Sequence, residues 1–297
     1  MSDHTHHPGH AHGPHGHQGH DAPCDPTDQT QSFAELLDLD GVVLGDHLAE
    51  LTAWVRRVSD DQPRRRILDL GAGTGNGTIA LAQRFGGAEV IAVDQSEVML
   101  HRIRTKALDL GLAARVRTVR ADLATGLPDV DPVDLVWASM MLHEVPDADR
   151  LLAEVAGVLR PGGLFVLVEM DAPLRYLPDD LGLGRPGLQA RSHAAISGDH
   201  GPATPHGHDW TGRLAEAGFG VVAERTFDLH VPPPPSSATG RYAHGWFRRV
   251  RSAVDGRLDA DDLATLDTLL GDGPEGLQQR EDLVVHGSRT AWVVRAV

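Results

Sequence analysis

Short apolar runs and amphipathic stretches alternate through the first two thirds of this chain. The runs at 67–70, 90–93, 133–138 and 164–168 have no helical period, which is typical of strands buried on both faces of a sheet. The run at 115–120 sets two valines among arginines, as a strand near a sheet edge does. The stretches between the runs carry apolar residues at helical spacing. This order predicts an α/β fold built on a parallel sheet.

Regular structure is also predicted on either side of this pattern. Residues 33–58 carry a leucine and valine stripe at helical spacing, and the helix ends in the polar segment before Pro63. A further helix is predicted at 209–220, followed by a strand at 221–231 and a last strand at 290–297.

Four glycines follow the first strand and alternate with small residues, at Gly71, Gly73, Gly75 and Gly77. Because they carry no side chain, they leave the backbone open to a ligand. A helical pattern resumes at Thr78, so free N–H groups and the positive end of a helix dipole meet at the carboxyl end of a strand. This arrangement predicts a nucleotide-sized binding site.

The spacing of the glycines narrows the choice of ligand. The dinucleotide fingerprint G-x-G-x-x-G would need glycine at Asn76 or Thr78, and a P-loop would need a lysine next to its serine or threonine. Lys106, far from the loop, is the only lysine in the chain. What remains is an acidic residue, Asp69, followed by glycine at every second position, and a carboxylate there suits a cationic ligand.

This loop resembles the glycine loop of class I S-adenosylmethionine-dependent methyltransferases, whose sulfonium cofactor is cationic. Residues 94–100, 121–123 and 159–163 resemble further segments of the same family and follow in the family's order. The resemblance implies that Asp94 binds the ribose hydroxyls and that Asp122 binds the adenine amine. The cofactor-binding residues that it implies are Asp69, Gly71, Ala72, Gly73, Gly75, Asp94, Gln95, Met99, Asp122, Leu123 and Ser139.

The resemblance also implies a doubly wound, seven-stranded sheet in the order 3-2-1-4-5-7-6, with the last strand antiparallel and with helical insertions near the C-terminus. We expect residues 32–297 to form this domain and residues 1–31 to be a separate disordered tail. Segments of about 172–208 and 232–288 are insertions that we expect to cover the substrate. A nicotinamide-dependent dehydrogenase is the alternative enzyme, and titration with the two cofactors distinguishes them.

His143 is the candidate catalytic base. It lies in the segment Leu-His-Glu-Val-Pro-Asp at 142–147, which resembles the Leu-His-Asp-Trp-Ser-Asp segment of plant-type small-molecule O-methyltransferases, whose histidine deprotonates the acceptor. An imidazole that titrates near neutrality suits that task. The alternative is that His143 shapes the pocket wall, with Glu144 orienting it or beginning the next helix. The implied reaction is methyl transfer to oxygen, nitrogen or carbon of a small-molecule acceptor.

Composition excludes several partners and chemistries. A formal charge of −15 argues against a nucleic-acid groove, and no apolar run approaches the roughly 18 residues that span a bilayer. The N-terminus lacks the basic and apolar regions of a signal peptide, so we expect a soluble, cytoplasmic protein. The single cysteine, Cys24, lies outside the predicted core, which excludes thiol-based catalysis. The sequence leaves the oligomeric state open.

The first 20 residues hold eight of the chain's 18 histidines. Neutral imidazoles bind Zn²⁺, Ni²⁺ or Cu²⁺, which makes this tail a candidate metal binder. The candidate ligands are His4, His6, His7, His10, His12, His15, His17 and His20. A second function follows from this, that of a non-catalytic cofactor-binding protein whose tail binds or delivers a transition metal. The alternative without a metal-related function is a solvated tail that binds metals only when they are abundant.

Overall fold

The computed structural model describes residues 26–59, 62–197 and 209–297. Within them, seven strands form one sheet in the order β3-β2-β1-β4-β5-β7-β6. The strands are β1 Arg66–Leu70, β2 Glu89–Asp94, β3 Val116–Arg120, β4 Val133–Ser139, β5 Leu159–Met170, β6 Phe219–Val231 and β7 Val285–Ala296. The first five pair in parallel, and β7 is antiparallel to both β5 and β6. The predicted fold class and strand order are confirmed.

Helices cover both faces of this sheet. They are α1 Pro26–Val43, α2 Gly45–Val58, α3 Asn76–Arg84, α4 Glu97–Asp109, α5 Ala148–Val158, α6 Leu188–Ser197, α7 Trp210–Glu216, α8 Ser237–Ala253 and α9 Ala260–Leu270. Alternate side chains of β5 point to opposite faces, so Phe165 packs in the cluster of α5 and α7 while Val166 packs in that of α2 and α3. Burial on both faces explains why the central strands are continuous apolar runs.

Several boundaries differ from those predicted. The helix expected at 209–220 is shorter, since β6 already begins at Phe219, and the last strand begins at Val285 and not at 290. α1 begins at Pro26, so residues 26–31 are helical and not part of a disordered tail. The predicted helix at 33–58 is two helices, because the helical conformation is interrupted between Val43 and Gly45. β5 begins before its apolar run, since Leu159 already pairs with β4 and the register shifts before pairing resumes at Leu164.

The later insertion forms a third hydrophobic core beside the sheet. α8 and α9 lie between β6 and β7 in the chain, and Tyr242, Phe247 and Leu266 are buried there with side chains of α1. The earlier insertion contributes α6, and residues 198–208 lie outside the described part of the chain. Across the described residues, no helix combines the length and apolarity that crossing a membrane requires.

Candidate active site

The predicted site residues gather at the carboxyl ends of β1, β2, β3 and β4, which are neighbours in the sheet. The chain runs from β1 outward to β3 and then returns to place β4 on the other side of β1. The direction of winding therefore reverses between β1 and β4. In open α/β sheets the crevice for a ligand lies at such a reversal.

Backbone geometry at the loop after β1 requires glycine. Gly71 has a φ of +60° and Gly73 a φ of +53°, which is the left-handed region that other residues disfavour. A Cβ on Gly71 would lie 2.8 Å from Met141 Cβ, and one on Gly73 would lie 3.0 Å from Leu37 Cδ1. The loop is thus bare backbone enclosed by side chains of α1 and of the segment after β4.

Asp94, the last residue of β2, holds this loop. Its Oδ2 accepts a hydrogen bond from the Gly73 N–H at 2.9 Å, and its Oδ1 accepts one from the Ser96 N–H at 2.8 Å. Each carboxylate oxygen retains a lone pair for a ligand hydroxyl. The side chain is half-buried, and burial raises its pKa despite these hydrogen bonds. One carboxylate therefore fixes the loop at the switch point of the sheet.

Asp69 lies beneath the loop and not on its surface. Its relative exposure is 2%, and its Oδ2 accepts a hydrogen bond from the Thr78 hydroxyl at 2.5 Å. Burial raises the pKa of Asp69 to about 7, the Thr78 hydrogen bond opposes this shift, and the negative charge of Asp94 adds to it. At this depth the carboxyl acts on a ligand through its charge.

The other predicted cofactor residues divide by exposure. Met99 and Leu123 are buried, whereas Gln95 and Asp122 are exposed, and Ser139 ends β4. Asp122 Oδ1 accepts a hydrogen bond from the Ala124 N–H at 2.9 Å, which shapes the turn after β3. Buried apolar groups beside an exposed carboxylate are suited to a flat ring with an exocyclic amine.

His143 lies in the 3₁₀ turn Leu142–Glu144 that follows β4. Its Nδ1 lies 2.7 Å from Glu169 Oε2, and its Nε2 lies 3.4 Å from Glu144 Oε1. The Glu169 side chain is 2% exposed, and its other oxygen accepts the Leu142 N–H at 3.0 Å. Burial disfavours the charged imidazole, but the hydrogen bonds with Glu144 and Glu169 outweigh it and raise the pKa of His143 to about 9.

Glu169 is a site residue that the pattern along the chain did not single out. It stands at the carboxyl end of the apolar run of β5, much as Asp94 stands at the end of β2. An acidic residue in that place is the signal that could have found it. Its partnership with His143 could not be found in this way, because it depends on the orientation of the turn after β4.

α1 covers the glycine loop and is fastened to α4. The Leu37 carbonyl accepts a hydrogen bond from Asn76 Nδ2 at 2.7 Å, which places α1 over the start of α3. Asp38 forms ion pairs with Arg102 and with Lys106, whose Nζ lies 2.6 Å from Asp38 Oδ1. The only lysine of the chain thus anchors this cover.

A cleft of about 650 Å³ lies between α1, α2 and α3. It includes Asp38 and Lys106 but none of the predicted site residues, so it is a separate feature of the surface. In the described ranges no three His, Cys, Asp or Glu side chains group as a metal site. The histidines of the predicted metal-binding tail lie outside those ranges.

Comparison with known proteins matches residues 67–163 to the family described as Methyltransferase domain. Trans-aconitate 2-methyltransferase of Methylobacterium radiotolerans is 39% identical over 133 residues, 45% of this chain and 44% of that one. Malonyl-[acyl-carrier protein] O-methyltransferase of Halorhodospira halophila is 36% identical over 178 residues, 57% and 54% of the two chains. The chain spans about half the length of these curated relatives.

A solved structure gives the same fold. The S-adenosylmethionine-dependent methyltransferase of Geobacter sulfurreducens, crystallised with S-adenosylhomocysteine, superposes with a TM-score of 0.50. The match covers 84% of this chain and 91% of that one, at 15% sequence identity. At this identity the likeness concerns the fold alone.

Proposed function

We propose that this chain, which belongs to the class I S-adenosylmethionine-dependent methyltransferase family, transfers a methyl group from that cofactor to a small-molecule acceptor. The observation that carries the proposal is the glycine loop bonded to Asp94 at the switch point of the sheet. The named relatives methylate small or carrier-bound acids, and the Geobacter protein was crystallised with the demethylated cofactor.

The residues at this point fit the cofactor by their chemistry. The left-handed backbone at Gly71 and Gly73 requires glycine, so the loop has no side chains of its own at these positions to cover its N–H groups. Asp94 offers acceptor oxygens to a pair of hydroxyls, and Asp69 supplies negative charge toward a cation. A phosphate would be repelled by two carboxyl groups that stand this close to the loop.

When bound, S-adenosylmethionine supplies a methyl group on a positive sulfur, which is already electrophilic. The protein has to bind the cofactor and the acceptor, align them and exclude water. Alignment of two reactants lowers the activation free energy by about 7–11 kcal/mol at its upper end. We assign this work to α1 and to Met141, which enclose the loop, and to the turn of His143, which faces the acceptor side.

Cofactor binding should tighten as the pH rises through about 7. Asp69 is neutral below its pKa of about 7, and a cationic ligand favours its ionised form. Below that pH, Asp69 has to lose its proton when the cofactor binds. The affinity for the cofactor therefore falls as the pH falls. Calorimetric titration with S-adenosylmethionine between about pH 5 and 7 measures this dependence of affinity on pH. The range lies below roughly 7.7–8.0, so titration of the α-amino group of the cofactor does not contribute.

Asp69→Asn is the matched variant, because the amide keeps a hydrogen bond with Thr78 but cannot ionise. We expect it to flatten the pH dependence. The same titration tests the proposed function, since tight NAD binding with no binding of S-adenosylmethionine would contradict it.

His143→Ala should retain cofactor affinity and lower kcat/KM for the acceptor. The imidazole contacts Glu169 and Glu144 and none of the loop residues, so its loss leaves the cofactor side intact. If it acts in proton transfer, the decrease is about 100-fold or more. Steady-state kinetics with a methyl-labelled cofactor measures the change, and unaltered turnover at every pH would reduce His143 to a pocket wall. The role of the histidine-rich tail stays a prediction.

A further inference from the structure

Both ring nitrogens of His143 face carboxylates. A neutral imidazole has one N–H and one lone pair, so only the imidazolium can donate to Glu169 through Nδ1 and to Glu144 through Nε2. The two partners differ in freedom. Glu169 is buried and holds a second hydrogen bond from Leu142, whereas the Glu144 side chain is 78% exposed. Glu169 is therefore a fixed partner of the imidazole, whereas the Glu144 side chain can rotate away from it.

The charge of a second positive group, Arg249 on α8, also acts on Glu144. The interaction with His143 lowers the pKa of Glu144, and the positive charges of His143 and Arg249 lower it further. The Arg249 guanidinium lies over the ring of Phe33 in α1, with its Cζ 4.6 Å from the ring centroid. Among the described residues Arg249 makes no ion pair at hydrogen-bonding distance, which leaves its donors to a ligand.

We infer that the methyl acceptor is a small organic acid whose carboxylate takes the place of Glu144 between His143 and Arg249. This rests on the proposed function and names the substrate class of the same site. Glu144 stands in for the acceptor while the site is free, because its carboxylate lies 3.4 Å from His143 Nε2 and interacts with the charge of Arg249 without a direct ion pair. Its exposed side chain then turns into solvent, where it is hydrated at little cost.

The reaction on such an acceptor needs no base. A carboxylate oxygen attacks the methyl carbon, a carbon–oxygen bond forms, and the carbon–sulfur bond breaks with its electron pair going to sulfur. The negative carboxylate and the positive sulfonium become a neutral methyl ester and a neutral thioether. No proton is transferred, so His143 positions the acceptor by donating a hydrogen bond to the oxygen that does not attack.

This role has a pH dependence of definite sign. The groups that face His143 are Glu144 on its own turn, Glu169 on β5 and Arg249 on α8 through Glu144. Because the imidazolium attracts the acid, kcat/KM should fall as the pH rises through about 9. A histidine that acts as general base gives the opposite sign, with activity rising toward the same pH.

The chemical class of the product tests the inference directly. The full chain is incubated with methyl-labelled S-adenosylmethionine and a protein-free metabolite extract, and the labelled product is then treated with mild alkali. Methyl esters release the label as volatile methanol, whereas methyl groups on ether oxygen, nitrogen or carbon keep it. We expect most of the label to be released.

Label that resists alkali overturns the inference of an acid acceptor but leaves the proposed function standing. An extract that takes up no label, although the cofactor binds, has the same two consequences. Failure to bind S-adenosylmethionine would instead refute the proposed function itself.

Two variants separate positioning from folding. Arg249→Gln should raise KM for the ester-forming acceptor about five- to tenfold with kcat little changed, and Glu144→Gln should lower KM because a competing carboxylate is removed. Arg248→Gln is the matched control, since Arg248 is exposed, next in the chain and outside the site. Equal KM values for the Arg249 and Arg248 variants would overturn the assignment.

Discussion

Asp94→Ala should raise the dissociation constant of S-adenosylmethionine by about 100-fold or more. The carboxylate accepts hydrogen bonds from the N–H of Gly73 and from that of Ser96, and each oxygen keeps a lone pair for a ribose hydroxyl in the proposed role. Each hydrogen bond to a charged group is worth about 1.5–3 kcal/mol, and every 1.4 kcal/mol is tenfold in affinity. Losing two ligand bonds therefore removes about 3–6 kcal/mol. Calorimetry on the purified variant measures the change.

The matched control is Asp129→Ala, which removes an exposed carboxylate between β3 and β4. It should bind the cofactor as the unaltered chain does. Asp122→Ala should be intermediate, because the Asp122 side chain is exposed and hydration weakens its hydrogen bond to a ligand. If Asp94→Ala bound within threefold (about 0.7 kcal/mol) of the unaltered chain, the ribose role would be wrong.

The buried strands and the glycine loop could be predicted because they depend on local patterns, whereas the order of the strands in the sheet followed from the resemblance to the family. Four strands are continuous apolar runs because both of their faces are buried. The loop after β1 needs glycine at Gly71 and Gly73, where φ is positive. An acidic residue at the end of a buried strand is conspicuous in a sequence, which is how Asp94 was found. These features require no knowledge of what packs against them.

The electrostatic setting of the site could not be predicted, because it depends on contacts between distant segments. His143 resembles a base when it is viewed alone, yet Glu169 lies 26 positions further on and holds it as a donor. Asp69 is predicted from its position to face a cationic ligand, yet the fold places it under the loop against Thr78. In both residues the chemistry is decided by burial and by partners, which the spacing of residues does not encode.

The fastening of α1 is the part that was least visible in the sequence. Asp40 of α1 meets Tyr242 of α8 and Arg289 of β7, and these residues are separated by 202 and 249 positions. Nothing local marks any of them as partners. The contact joins the cover over the glycine loop to the insertion that carries Arg249.

Asp40→Ala should therefore lower the free energy of unfolding by about 3–5 kcal/mol, the usual result of removing one partner of a buried ion pair. Asp40 Oδ1 accepts hydrogen bonds from the Tyr242 hydroxyl at 2.7 Å and from Arg289 at 3.0 Å. The Arg289 side chain is only 11% exposed, so the variant leaves a positive charge buried without its counter-charge. Urea-induced unfolding followed by circular dichroism measures the change.

A second comparison separates the loss of the charge pair from the loss of packing. Replacing both partners, as in Asp40→Leu with Arg289→Met, removes the unpaired charge and should recover much of the stability that Asp40→Ala loses. Asp272→Ala, an exposed carboxylate after α9, should be close to neutral. If Asp40→Ala lost no more stability than Asp272→Ala, the contact would not fasten α1. The cover over the glycine loop would then be held by its other contacts, among them the ion pairs of Asp38 and the hydrogen bond from Asn76 to Leu37.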